Sequence, residues 1–181
     1  MDGQNANVRL FVAIGLPGQI VELLETLPRP EAPRLRWTTP EQWHVTLQFF
    51  GEVDRPDEVI DAVRDAVAEL PGGVVEAVLG PATRWFPGRT VLHAPVTGLE
   101  TLAARVRERT APWAADRGQA FSGHITLART RGGEPGPAEL AGTPVTGRFT
   151  VTDVAVFASS LLPGGAVYDV LERISIGQTG V

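Results

Sequence analysis

The chain carries one tetrapeptide pattern twice, His44-Val45-Thr46-Leu47 and His124-Ile125-Thr126-Leu127, with 124 − 44 = 80 residues between the two histidines. Both copies alternate a polar side chain with an apolar one, the period of a β-strand that has one wet face and one buried face. His44 and Thr46 therefore share a face, as do His124 and Thr126, while Val45, Leu47, Ile125 and Leu127 point toward a core. The sequence holds three histidines in all, and two of them stand in this one context. Any fold for this chain has to accommodate two strands that each present an imidazole beside a hydroxyl.

Around those strands the patterning switches between the periods of sheet and helix. Residues 8–14 read as a strand, and Leu16-Pro17 opens an amphipathic helix over 19–27 with Ile20, Leu23, Leu24 and Leu27 on one face. A proline-rich connection, 28–33, leads to a turn at 38–41 and a strand over 43–50 that Gly51 is expected to end. Residues 57–70 place Val59, Ile60, Val63, Val67 and Leu70 on one helical face, with carboxylates near the start and Pro71-Gly72-Gly73 as the stop. Strands at 74–79 and 90–96 flank a loop carrying Arg84, Trp85, Phe86 and Arg89, and 99–115 reads as a second long helix. A strand at 124–129 precedes a loop rich in Gly and Pro, 130–144, and two antiparallel strands follow at 145–158 and 167–176. Helices are interspersed with strands, yet several consecutive strands lack a helix between them. The class is therefore α+β with a mixed or antiparallel sheet. At 181 residues, one compact domain and two intimately packed lobes both fit.

Cysteine and lysine are both absent. The first absence removes disulfides, thiolate nucleophiles and the usual zinc ribbons. The second removes Schiff-base chemistry, a phosphate-loop lysine and the lysyl-nucleotide intermediate of ATP-dependent ligases. All 16 basic residues are arginine, so arginine must carry any phosphate binding. The formal net charge of −5 argues against a protein that coats nucleic acid non-specifically and leaves room for a short local contact. No apolar run approaches the roughly 20 residues that span a bilayer. The polar stretch 1–9 lacks the order of a secretory signal, so a cytoplasmic location with no membrane partner is expected.

From the residues alone the repeated motif has three readings. The plainest is a strand whose polar side chains face solvent, which serves for one His-Thr pair better than for two matching ones. A metal site could draw a third ligand from His93, but no carboxylate or cysteine lies at ligand spacing beside either motif histidine. His93 by itself reads as a partly buried strand residue or a substrate-side contact. The third reading is a pair of imidazoles working as acid and base.

The two strand-borne His-x-Thr-hydrophobic motifs about eighty residues apart resemble those of the two-histidine (2H) phosphoesterase superfamily. The flanking sequence resembles its LigT-like branch, the RNA 2′,3′-cyclic phosphodiesterases also called 2′-5′ RNA ligases. The resemblance covers most of the chain: 9–14 with Leu16-Pro17, then 43–53, 121–129, and 154–160 before Tyr168. The chain departs from the family's pattern at Gly123, where proline is frequent, and at His93, where an aromatic is common. The resemblance implies an α+β fold of two pseudo-symmetric antiparallel sheets with flanking helices around a central groove, one motif per half, with 1–181 forming a single bilobal domain. It also implies an enzyme that hydrolyses a ribose 2′,3′-cyclic phosphate at an RNA end to a 2′-phosphate. Small cyclic nucleotides are the other implied ligands; no metal, cofactor or obligate protein partner is implied.

Opening a cyclic phosphodiester takes a base that activates water on one side of phosphorus and an acid that protonates the departing oxygen on the other. Imidazole, with an ordinary pKa of about 6.5, can do either near neutrality. On the resemblance, His44 is the proton donor toward the 3′-oxygen and His124 the proton acceptor for water, although the near-identity of the motifs leaves the reverse order open. Thr46 and Thr126 would donate to the non-bridging phosphate oxygens. Arg129 matches an arginine that follows the second motif and would clamp the phosphate. Its odd offset from His124 turns it away from the histidine face unless the strand ends or bulges first. Phe11 and Arg36 are the further substrate contacts. Arg34, Arg36, Arg84 and Arg89, interleaved with Trp37, Trp85 and Phe86, are either guides for a single-stranded end or solvated loop charges beside core aromatics. The same residues also permit another small cyclic phosphate or a 2′,5′-linked nucleotide as substrate. They permit a binding module for RNA ends without turnover, and ATP-independent 2′,5′ joining as a side reaction.

Overall fold

The computed structural model describes residues 8–115, 118–162 and 165–177. Among them the chain runs through β1 (Val8–Gly15), α1 (Gly18–Glu25), β2 (Leu35–Trp37), β3 (His44–Val53), α2 (Pro56–Ala68), β4 (Val75–Leu79) and β5 (Arg84–Trp85). It continues through β6 (Val91–Thr97), α3 (Glu100–Arg109), β7 (His124–Thr130), β8 (Gly147–Val151), β9 (Asp153–Leu162) and β10 (Gly165–Ser175). Eight strands line up as β10-β9-β1-β3-β7-β6-β4-β8, with β2 added beside β7 and β5 beside β6. The pairings are antiparallel.

The two arms of this sheet meet at one residue pair, Val45 of β3 with Ile125 of β7. Both occupy the second position of the repeated motif. Extending the antiparallel ladder from that pair puts His44 level with Thr126 and Thr46 level with His124, so a quasi-twofold axis passes between the strands. The flanking strands obey the same axis. Ala13 and Gly15 of β1 lie opposite Thr46 and His44, and His93 and Pro95 of β6 lie opposite Thr126 and His124. The implied pseudo-symmetry is carried by strand register.

The helices cover the other face of the sheet. α3 packs on β3, α2 on α3 and β10, and α1 on β8. α2 shows why these segments become helices. Pro56 sits in its first turn, where no N–H is needed, Asp57 and Glu58 complement the N-terminal dipole, and Val59, Val63, Ala66 and Val67 form the buried stripe. Between helices and sheet lies the core, with Val45 and Ile125 fully buried and Leu47 and Leu127 nearly so. Among the described residues no helix is long and apolar enough to cross a membrane. Ile125→Ala would empty space at the seam between the arms, at an expected cost of about 2–5 kcal/mol in urea unfolding. A loss under ~1 kcal/mol would show that the seam is not held by packing.

Several elements differ from the sequence reading for reasons of partnership. Gly51 does not end β3; it takes a φ of 72° where the register against β1 shifts, so the glycine supplies a bulge and the strand continues to Val53. The helix expected over 99–115 stops at Arg109. The Thr110 hydroxyl donates to the Val106 carbonyl, and Pro112, which has no N–H, sits in a 3-10 turn at Ala111–Trp113. The strand expected over 145–158 is two, because β8 pairs with β4 at one end of the sheet and β9 pairs with β1 in the other arm. Arg84 and Trp85, expected in a loop, form β5 against β6. The 130–144 loop is pinned: Thr83 Oγ1 donates to the Leu140 carbonyl at 2.7 Å and Trp85 Nε1 to the Pro137 carbonyl at 3.0 Å.

Candidate active site

Each motif strand carries one extra residue at its fourth motif position. Along β1, Val12 faces Gln48 and Ala13 faces Thr46; along β6, Leu92 faces Ala128 and His93 faces Thr126. Leu47 and Leu127 are thus bulged at the same place, and alternation resumes one residue out of phase. Gln48 and Ala128 turn inward, while Phe49 and Arg129 turn outward. This bulge is what brings Arg129 to the histidine face despite its odd offset. The offset is shared by the two halves, 49 − 44 = 129 − 124 = 5, so Phe49 holds the position equivalent to Arg129.

His44, Thr46, His124 and Thr126 line one cleft together with Arg36 and Arg129. Phe49, Tyr168 and Gln42 complete its other side. Phe11, by contrast, is 2% exposed and lies beneath the site, with its ring 5.0 Å from that of His44. Tyr168 stands edge-on to His44 at 5.2 Å, and Phe86 edge-on to His124 at 4.8 Å. His93 stacks on Phe86 at 4.0 Å and approaches His124 at 5.5 Å. Each motif imidazole is therefore walled by aromatic rings. Gly123 also has a local reason: a Cβ there would lie 2.3 Å from the Val96 carbonyl oxygen, and the Val96 N–H donates to the Gly123 carbonyl at 2.8 Å.

The ring tautomers follow from the backbone. His124 Nδ1 lies 2.7 Å from the Ser122 carbonyl, and the Gln42 backbone exerts the equivalent upward pull on the pKa of His44. A carbonyl only accepts, so the nitrogen facing it carries hydrogen and the second nitrogen of the neutral ring keeps a lone pair for chemistry. These two carbonyls are again related by the repeat, 122 − 42 = 80. Gln42 is itself fixed. It ends a 3-10 turn whose Thr39 N–H donates to its Oε1 at 3.3 Å, and its Nε2 donates to the Ala166 carbonyl of β10 at 3.1 Å. Thr38 ties the segment before His44 to the second motif. Its hydroxyl lies 2.8 and 2.9 Å from the Thr126 and Leu127 carbonyls and accepts from Trp43 Nε1 at 2.9 Å.

Burial pushes His44 down to about 4, against the upward pull of the Gln42 carbonyl and with help from His124 and Arg129. Burial also lowers His124, opposed by the Ser122 carbonyl and reinforced by Arg129. Burial, then His124, take His93 to about 4. It is 6% exposed and its Nδ1 has no hydrogen-bond partner. Among the described residues no three His, Cys, Asp or Glu side chains gather as a metal site.

Those lowered values fix the sign of a pH effect. Unfolded histidines protonate as pH falls through about 6.5 and folded His44 and His93 do not, so stability present above that pH drains away toward pH 4. Between pH 7 and 5 the wild type should lose up to about 2 kcal/mol more than His93→Phe in urea unfolding. Equal losses in the two proteins would contradict a neutral buried His93.

Gln42, Thr38, Ser122, Phe49 and Tyr168 are the residues around the cleft that sequence reasoning missed. Ser122 acts through its main-chain carbonyl and leaves no side-chain signal, and the Gln42 side chain is fixed by Ala166, a partner distant in sequence. Phe49 had one, since it sits at the offset that singled out Arg129.

Two imidazoles presented to one cleft by symmetry-related strands, each with its threonine, is the arrangement of the two-histidine phosphoesterases, and that is the class of enzyme this structure defines. Residues 21–160 match the model of the 2′-5′ RNA ligase superfamily, and the chain belongs to that family. It is 29% identical over 191 aligned positions to the RNA 2′,3′-cyclic phosphodiesterase of Thermus thermophilus, covering 93% of this chain and 90% of that protein. A crystal structure from the same organism matches with a TM-score of 0.76 at 30% identity, over 95% of this chain and 100% of that one. Escherichia coli LigT in apo form matches with a TM-score of 0.73 at 26% identity, over 95% and 99%. LigT complexed with 3′-AMP matches equally well, over 96% and 100%.

Proposed function

We propose that this protein hydrolyses the 2′,3′-cyclic phosphate at an RNA end to a 2′-phosphate by acid–base catalysis between His44 and His124. The observation that supports it best is the register of β3 on β7, which brings both His-Thr pairs to one cleft about a quasi-twofold axis. A phosphate seated on that axis would have one imidazole on each side, the geometry that an in-line displacement needs. His124 takes a proton from water as its oxygen bonds to phosphorus, and His44 gives a proton to the 3′-oxygen as its bond to phosphorus breaks. Thr46 and Thr126 donate to the non-bridging oxygens as charge builds there, and Arg129 supplies the fixed positive charge. Phe11 packs beneath His44. Burial lowers His44 most, and the negative charge of a bound phosphate would favour its protonated, proton-donating form. The relative's name as an RNA 2′,3′-cyclic phosphodiesterase supports the choice of substrate.

The test is a substrate panel read by phosphorus NMR: an oligoribonucleotide with a 2′,3′-cyclic end, a 3′,5′-cyclic nucleotide and a 2′,5′-linked dinucleotide. The expected result is a 2′-phosphate from the first and far slower reaction with the others. A 3′-phosphate product, or faster cleavage of the 2′,5′ linkage, would overturn the assignment.

A further inference from the structure

We infer that Gln42 is a positioning residue for the acid of the proposed reaction: its side chain binds the start of β10 and so holds Tyr168 against His44. This rests on the function proposed above. In the sheet order β10 stands three places from β3, with β9 and β1 between them. At ~4.8 Å per strand a flat sheet would keep the two about 14 Å apart. Tyr168 nevertheless stands 5.2 Å from His44, and Gln42 Nε2 donates to the Ala166 carbonyl at 3.1 Å. The arm therefore curls until the start of its edge strand returns to the motif. β10 has a ladder partner on one side alone, β9, and a strand end held from one side opens more readily than a central one.

Gln42 is placed to hold that end. Its N–H donates to the Thr39 carbonyl at 2.9 Å, and its Oε1 accepts from the Thr39 N–H at 3.3 Å. One end of the amide is thus anchored on the 3-10 turn that leads into His44, and the other end spans to β10. Ala166 and Tyr168 are two residues apart on one strand face, and both line the cleft. A grip on Ala166 is a grip on the ring beside His44.

The second half of the site shows why the first needs such a link. His124 is walled by Phe86, whose N–H donates to the Val91 carbonyl at 3.1 Å and whose carbonyl accepts from the Arg89 N–H at 2.9 Å. That wall is fixed by the backbone of its own hairpin, β5 with β6. The wall of His44 comes from the opposite edge of the arm, and Ser122, the counterpart of Gln42 in the repeat, has a short side chain where Gln42 has a long one.

Burial is the largest influence on His44 and takes it to about 4. The charged and titratable groups facing it are His124 and Arg129 from β7, Arg36 from β2 and the Tyr168 phenol from β10; β1 and β9 present Phe11 and Phe157. Gln42→Met changes none of these charges, so a shift of His44 in that variant reports the loosened wall.

The experiment is the pH profile of kcat/KM on a 2′,3′-cyclic RNA end for wild type, Gln42→Met, Tyr168→Ala and the double variant. Gln42→Met should move the acidic limb, which follows the lower imidazole, up by about one pH unit and leave the basic limb in place. Tyr168→Ala should move it likewise, and adding Gln42→Met should move it no further. Gln42→Asn, whose amide is one methylene short of Ala166, should repeat the shift and serves if the methionine variant does not fold. A lower rate with unmoved limbs, or a second full shift in the double variant, would overturn the inference while leaving the proposed function standing. If wild type turns over no cyclic end, the proposed function fails. NMR titration of the His44 ring then decides the inference without turnover: a midpoint that rises in Gln42→Met supports it, and one that stays near the wild-type value overturns it.

Discussion

Replacing either His44 or His124 by alanine should lower kcat/KM on a 2′,3′-cyclic RNA end by roughly 10²–10⁴-fold, the usual worth of one positioned proton transfer. Replacing both should cost much less than the product of the two losses, because residues that act as a unit are not additive. The fold should survive, since the rings stand on the cleft face while the opposite faces of β3 and β7 carry Val45 and Ile125 into the core. Leaving-group chemistry then separates the two roles. A diester with a 4-nitrophenolate leaving group needs no proton donor, so His44→Ala should recover on it while His124→Ala stays slow. Recovery of His124→Ala instead would reverse the assignment of acid and base.

Arg129→Ala should lower kcat/KM by roughly 10²–10³-fold, as expected for loss of a fixed charge that faces developing negative charge. It should also move the pH profile. Burial lowers His44 and His124 and the charge of Arg129 lowers them further, so removing Arg129 lets both rise part of the way, and the acidic limb of kcat/KM shifts to higher pH. Arg129→Lys should restore the position of that limb more fully than the rate, because an ammonium replaces the charge but not the two-pronged hydrogen bonding. A large rate loss with an unmoved pH profile would mean that Arg129 acts through the shape of β7.

What the sequence made legible was local. The period of two in each motif placed the histidines and threonines on one face and the four apolar residues in the core, and the structure has them so. What it concealed depends on partners distant in sequence. Arg129 turns to the cleft because of a bulge visible only in the pairing of β7 with β6. The wall of His44 is made by Phe11 from β1 and Tyr168 from β10, strands brought to it by sheet order and not by proximity along the chain. The split of 145–158 into β8 and β9 likewise follows from the two arms claiming neighbouring residues. The equivalence of Phe49 and Arg129 was within reach all the same, since each stands two residues past the end of its tetrapeptide.

The most direct test of a two-histidine acid–base site is hydrolysis of an oligoribonucleotide bearing a 2′,3′-cyclic phosphate, in the presence of chelator, by wild type, His44→Ala and His124→Ala. The predicted result is conversion by wild type at a rate unchanged by chelator and loss of conversion in both variants, each still folded by circular dichroism. Turnover that needs added metal, or that survives in either variant, would contradict the account.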